Sequence, residues 1–116
     1  MESGILTLDV FQTEKDIVIK SAIAGVSGKD LDISITSDRV TIKGARKEDL
    51  EEKSKDYYYQ ELYWGEFERS VILPEEVNAD EAKATLKNGV LTIRLPKLRP
   101  SATRLGPARG REQITI

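Results

Sequence analysis

The chain ends in two isoleucines, Ile114 and Ile116, whose spacing places both side chains on the same side of an extended strand. The end of a chain normally frays, so an apolar end is favourable only if another surface receives it. The chemistry is that of recognition, in which a peptide adds to the edge of a sheet and places side chains in pockets. A ninth strand of the same domain and a remnant of the expression vector stay open as alternatives.

The stretch 57–64 holds five of the seven aromatic residues, and it directly follows the strongly charged stretch 45–56. Aromatic side chains beside a charged loop are typical of a protein interface, where tyrosine and tryptophan often serve as anchors. Alternatively, half of them simply cover the core of their own domain, with the tyrosine hydroxyls in water. A base-stacking surface is disfavoured, because Glu61 lies in this stretch, Glu66 lies just after it, and no basic residue lies between 57 and 66. The aromatic residues are Tyr57, Tyr58, Tyr59, Tyr63 and Trp64.

Arg69 shares the strand phase of Phe67 and Val71, which predicts that its side chain points inward. An unpaired buried charge is very costly, so the guanidinium must either pair with an acid or reach water. The sequence leaves open an ion pair between subunits and an arginine at the end of the sheet.

Few residues of this chain could serve catalysis or bind a metal, because the chain contains no cysteine and no histidine. That composition excludes thiol nucleophiles, disulfides, Ser-His-Asp triads and almost every zinc or iron site. No glycine-rich phosphate loop is present. The acidic run 49–56 lacks the spacing of a calcium loop and contains Lys53 and Lys55, so we interpret it as a solvated charge run. We predict no catalytic residue, no cofactor and no metal, and hence no enzyme.

The composition is that of one polar globular domain of 116 residues, 39% of them hydrophobic and 33% charged. The net charge of −2 provides no field that would attract nucleic acid. No apolar run of about 18 residues and no basic-then-apolar leader is visible. We therefore predict a cytoplasmic protein without nucleic-acid or membrane partners.

The elements that must position these side chains are strands, because apolar residues alternate with period two between turn signals. The first such stretch is 6–10, a second runs from Asp16 to Ile23, and Asn88-Gly89 is a strong two-residue hairpin signal. About eight strands and no convincing helix predict an all-β sandwich. We divide the chain into a short remnant 1–4, a domain 5–98 with an extended loop 45–65, and a flexible extension 99–116 that is too rich in proline, glycine and arginine to build a core.

Residues 65–74 have the pattern G-x-F-x-R-x-x-x-L-P, residues 84–91 the pattern A-x-x-x-N-G-V-L, and residues 114–116 the pattern I-x-I. These three motifs, in this order, resemble those of small heat-shock proteins with an α-crystallin domain. Pro96-Lys97 follows where that family has its P-K. The resemblance covers nearly the whole chain.

The resemblance implies an immunoglobulin-like β-sandwich that dimerises, holds unfolding client proteins without ATP and forms larger assemblies through its tail. Segment 57–62 would be the strand exchanged with the partner, as in the bacterial, archaeal and plant type. The implied dimer residues are Tyr57, Tyr58, Tyr59, Leu62, Trp64 and Arg69. The implied groove for the tail and for clients is lined by Leu31, Ile33, Ile35, Ala84 and Leu86.

Two departures from the family pattern modify these expectations. Ala24-Gly25 stands where the family usually has Pro-Gly. Strand residues begin at Ile5, so we expect the family's N-terminal arm to be missing and client capture and large assemblies to be weakened. Two other classes of function stay open: a CS-type co-chaperone module that binds a partner chaperone, and a carboxylate-only enzyme. The co-chaperone is not expected to combine the Asn-Gly-Val-Leu hairpin with an Ile-x-Ile tail, and the enzyme would need two converging acids.

Overall fold

A computed structural model of the chain describes residues 6–48 and 54–99. In this part of the chain, seven strands form two antiparallel sheets, with two single-turn 3-10 helices at Gly28–Asp30 and Ala79–Glu81. The strands are β1 Asp9–Gln12, β2 Asp16–Ala22, β3 Leu31–Ile35, β4 Arg39–Arg46, β5 Gly65–Ile72, β6 Lys83–Lys87 and β7 Val90–Pro96.

One sheet has the strand order β1-β2-β7-β6, and the other has the order β3-β4-β5. Alternation along each strand turns one row of apolar side chains towards the facing sheet, which forms the core. Ile17 and Ile19 of β2 lie opposite Leu95 and Ile93 of β7, and all four side chains are buried. The predicted all-β sandwich is therefore confirmed.

Turn residues set the registers that the alternation requires. Asn88 and Gly89 both have positive φ, 54° and 77°, as a type I′ turn between β6 and β7 demands. Within the described residues, 57–62 forms no strand. The first strand also differs from the predicted stretch 6–10, because β1 begins at Asp9 and Leu6 is instead buried in the core ahead of it.

Candidate functional site

The apolar residues of β3 line one open lateral side of the sandwich. Ile33 lies opposite Ile42 and Ile35 opposite Val40, and both partners on β4 are fully buried. Because directly opposed residues in an antiparallel pair point to the same face, Ile33 and Ile35 point inward, as does Leu31 in the same phase. All three are half-buried and pack against the core, so part of each side chain remains accessible.

β6 provides the second wall of this opening. Ala84 lies opposite Ile93 and Leu86 opposite Leu91, so both point inward from the edge of the four-stranded sheet. Leu86 is half-buried against the core, whereas Ala84 is exposed. β3 and β6 each pair with a single strand in the described parts of the chain, which leaves each with one unpaired edge. We call this opening between β3 and β6 the groove.

The opposite lateral side is closed by the segment that precedes β1. Leu6 is only 5% exposed, and its carbonyl accepts a hydrogen bond from Arg69 Nη1 of β5 at 2.5 Å. The next carbonyl, that of Thr7, accepts a hydrogen bond from Ser21 Oγ of β2 at 2.8 Å. This segment therefore joins the edge strand β5 to the other sheet, which places β3 and β6 together on the open side.

Arg69 points inward as predicted, because it lies opposite the buried Ile42. Within 6–48 and 54–99, no carboxylate forms an ion pair with it, and its partner is the Leu6 carbonyl of its own chain. This hydrogen bond, which the sequence analysis did not consider, satisfies a charged donor inside the isolated chain.

Most side chains of the aromatic stretch extend into solvent and do not pack on their own sandwich. Tyr58 is 97% exposed, Tyr59 84% and Leu62 70%. Tyr57 is also exposed, and only Trp64 is partly buried. Tyr58 and Tyr59 therefore do not cover their own core.

Arg46, which the sequence analysis missed, fixes the base of the loop that bears the aromatic segment. Its Nε donates to the Ala24 carbonyl at 2.8 Å, and its Nη1 donates to the Tyr63 carbonyl at 3.3 Å. The Tyr63 hydroxyl donates to the Glu66 carbonyl at 2.5 Å. In the sequence Arg46 is one charge among many, and no local signal distinguishes it.

A cluster of Glu48, Lys55 and Tyr57, which we call the clasp, joins the two sides of the loop between β4 and β5. Glu48 accepts hydrogen bonds from the Lys55 ammonium and from the Tyr57 hydroxyl, the latter at 3.0 Å. The Lys55 ammonium lies 5.6 Å from the centroid of the Tyr57 ring. The hydrogen bond from Lys55, followed by that from Tyr57, lowers the pKa of Glu48, and the bond to Glu48 raises the pKa of Lys55.

Two further observations concern metals and membranes. No group of three or more carboxylates in residues 6–48 and 54–99 could hold a metal ion. No helix in the same residues is long and apolar enough to cross a membrane. The acidic residues Asp49, Glu51 and Glu52, and the tail residues Ile114 and Ile116, lie outside the described residues.

Comparison with known proteins identifies the family. The sequence profile described as the Hsp20/alpha crystallin family matches residues 9–111. The chain belongs to this family. Its members are ATP-independent chaperones and not enzymes, so the family supports a chaperone role for this chain and confirms the resemblance seen in the motifs.

Relatives and solved structures agree with this assignment. Small heat shock protein C2 of Rickettsia felis is 37% identical over 102 residues, which cover 88% of this chain and 66% of that protein. Spore protein SP21 of Stigmatella aurantiaca is 40% identical over 89 residues, which cover 77% of this chain and 53% of that protein. The structure of heat shock protein 16.0 from Schizosaccharomyces pombe matches with a TM-score of 0.76 and 25% identity, covering 100% of this chain and 99% of that one. The chain thus spans about half to two thirds of the length of these curated relatives.

Proposed function

We propose that the chain is an ATP-independent holdase that binds partly unfolded proteins through the groove and so prevents their aggregation. The observation that carries this proposal is the groove itself, with half-buried Leu31, Ile33 and Ile35 on one unpaired edge and Leu86 on the other. An extended client segment can add to an open edge through main-chain hydrogen bonds, while alternate side chains enter the apolar opening. A cytoplasmic location and a lack of nucleic-acid partners stay predictions.

The proposal includes docking of the tail into the same groove of a neighbouring subunit. Burying Ile114 and Ile116 contributes roughly 3–6 kcal/mol before the cost of ordering the tail, so a single tail binds weakly, in about the micromolar to millimolar range. Several tails on one assembly raise the effective concentration and make assembly cooperative. The combined change Ile114→Ala and Ile116→Ala should therefore reduce larger oligomers to dimers without shifting the melting of the sandwich. Unaltered native mass at low micromolar concentration would contradict tail docking.

The dimer of the proposal forms through segment 57–62. The exposed Tyr58, Tyr59 and Leu62 have the character of interface anchors, and residues 57–62 belong to no strand of their own chain. A suitable receiver is the edge strand β1, where Val10 lies opposite the buried Ile19 yet is itself exposed. Arg69 supports the dimer in this proposal by holding the segment that leads into β1.

A light-scattering assay tests the holdase activity. A heat-labile enzyme is warmed with the purified chain, with and without ATP, and turbidity and the mass of soluble complexes are followed. The proposal expects suppression of turbidity that is the same in both conditions. No suppression at several-fold molar excess, or client release that requires ATP, would overturn it, and the CS-type module would then be the better description.

A further inference from the structure

Lys97 is a buried lysine that neither the groove nor the dimer segment uses. Its side chain is fully buried. Its Nζ donates to Gln12 Oε1 at 2.6 Å and lies 3.8 Å from Glu75 Oε2. Lysine is rarely buried to this extent unless its ammonium is satisfied, because removing the charge from water is costly. Here the ammonium joins the end of β1 to the loop that follows β5.

The backbone around Lys97 is held at the point where β7 ends. The Lys97 amide donates to the Lys15 carbonyl at 2.8 Å, and Lys97 forms an isolated antiparallel bridge with Val77. The Leu98 amide donates to the Glu76 carbonyl at 3.0 Å. The chain is therefore still paired immediately before residue 99, where the C-terminal extension begins.

This pairing sets the direction of residues 97 and 98, which we call the root of the extension. Residues 97 and 98 run antiparallel to residues 76 and 77, so the chain heads back towards the end of β5. β5 and β3 are the two opposite edges of the three-stranded sheet, and the groove lies at β3. Residues 97 and 98 thus run towards the β5 side of the sandwich and away from the groove at β3.

We propose that Lys97 is a positioning residue that fixes the exit and direction of the C-terminal extension, so that the tail is presented to the groove of a neighbouring subunit. This inference rests on the tail docking of the proposed function. The ammonium acts by tying Gln12 and Glu75 to the root of the extension. A methionine at position 97 would fill the same space but would donate no hydrogen bond.

Amide hydrogen exchange of the full-length chain tests the positioning directly. In Lys97→Met, the Leu98 amide should exchange about tenfold faster than in the parent, since one charge-assisted hydrogen bond no longer holds the root. The amide of the buried Ile93 should be unchanged. The matched control is Lys43→Met, which makes the same chemical change at an exposed lysine of β4 and should leave Leu98 protected. Equal protection of Leu98 in Lys97→Met and in the parent would overturn the proposal.

Assembly and peptide binding separate this inference from tail docking itself. With residues 97 and 98 held less firmly, Lys97→Met should have a broader mass distribution with more dimers than Lys43→Met. A synthetic peptide with the sequence of residues 109–116 should bind both variants with equal affinity, because the groove is untouched. Equal mass distributions would overturn the role of Lys97 in assembly. A peptide that binds neither variant nor the parent would refute tail docking, whereas the exchange of Leu98 would still decide whether Lys97 holds the root.

Discussion

Replacing Gly44 by alanine is expected to destabilise the sandwich beside the groove. A Cβ at this position would lie 2.7 Å from Phe67 Cζ, 2.9 Å from the Asp30 carbonyl oxygen and 3.0 Å from Leu31 Cδ2. The contact with the Asp30 oxygen involves backbone and cannot be relieved by rotating a side chain. The phenyl ring of Phe67 is itself buried, so it has little room to move.

The added Cβ would overpack against Phe67 and the Asp30 carbonyl, and overpacking of this kind lowers the free energy of unfolding by about 1–3 kcal/mol. For a domain of this size, that loss corresponds to a fall in Tm of roughly 4–8 °C for each kcal/mol. The matched control is Gly28→Ala, because a Cβ at Gly28 meets no atom within 4 Å. That variant should be neutral or more stable by up to about 1 kcal/mol, since alanine reduces the entropy of the unfolded chain.

Urea denaturation at one fixed protein concentration measures both variants, because any self-association makes apparent stability depend on concentration. The midpoint should fall for Gly44→Ala with an unchanged dependence on urea, and the midpoint for Gly28→Ala should not fall. The reasoning is refuted if Gly44→Ala is as stable as the parent, or if both substitutions destabilise the chain equally.

Three further predictions concern Arg69, the clasp and segment 57–62. Arg69→Met should lower the unfolding free energy by about 1–3 kcal/mol, because it leaves the Leu6 carbonyl without its donor, and a shift of only a degree or two in a thermal melt would contradict this. The clasp should contribute a small stability between the ordinary pKa values of a glutamate and a lysine, about 4.3 and 10.4. That contribution should be lost as the pH falls through the lowered pKa of Glu48 or rises through the raised pKa of Lys55. Glu48→Gln should remove the acid-side loss in melts across a pH series, and an identical pH profile would count against the clasp. Replacing residues 57–62 by a Gly/Ser run should give monomers, and an unchanged mass by light scattering would show that this segment is not the dimer contact.

The sequence predicted the parts of the fold that depend on local alternation and turn chemistry. The run from Asp16 to Ile23 contains β2, and Asn88-Gly89 forms the predicted hairpin turn. The inward faces of β3 and β6 also follow from alternation. Because side chains alternate between the two faces of a strand, placing one residue on the inward face fixes the face of every other residue of that strand. The roles of Leu31, Ile33, Ile35, Ala84 and Leu86 in binding remain predictions.

Contacts between distant parts of the chain could not be predicted from local patterns. Arg69 and Leu6 are 63 positions apart, and Lys97 and Gln12 are 85 apart. The residues next to Arg69 and Lys97 in the sequence do not indicate which distant residue each will contact. The stretch 6–10 alternates like a strand, but Leu6 instead closes the core at the sheet edge. Segment 57–62 forms no strand in the described part of the chain, so its pairing with a second chain stays a prediction.

The most direct test of the groove compares Ile33→Lys with Ser34→Lys in the light-scattering assay without ATP. These neighbours lie on one edge strand, but Ile33 points into the groove, whereas the exposed Ser34 points outward. Each variant gains the same charge, and thermal melts establish that both remain folded. If the groove binds clients, Ile33→Lys should lose most of its suppression of turbidity, and Ser34→Lys should keep the activity of the parent. Equal activity of the two folded variants would contradict the groove as the binding surface.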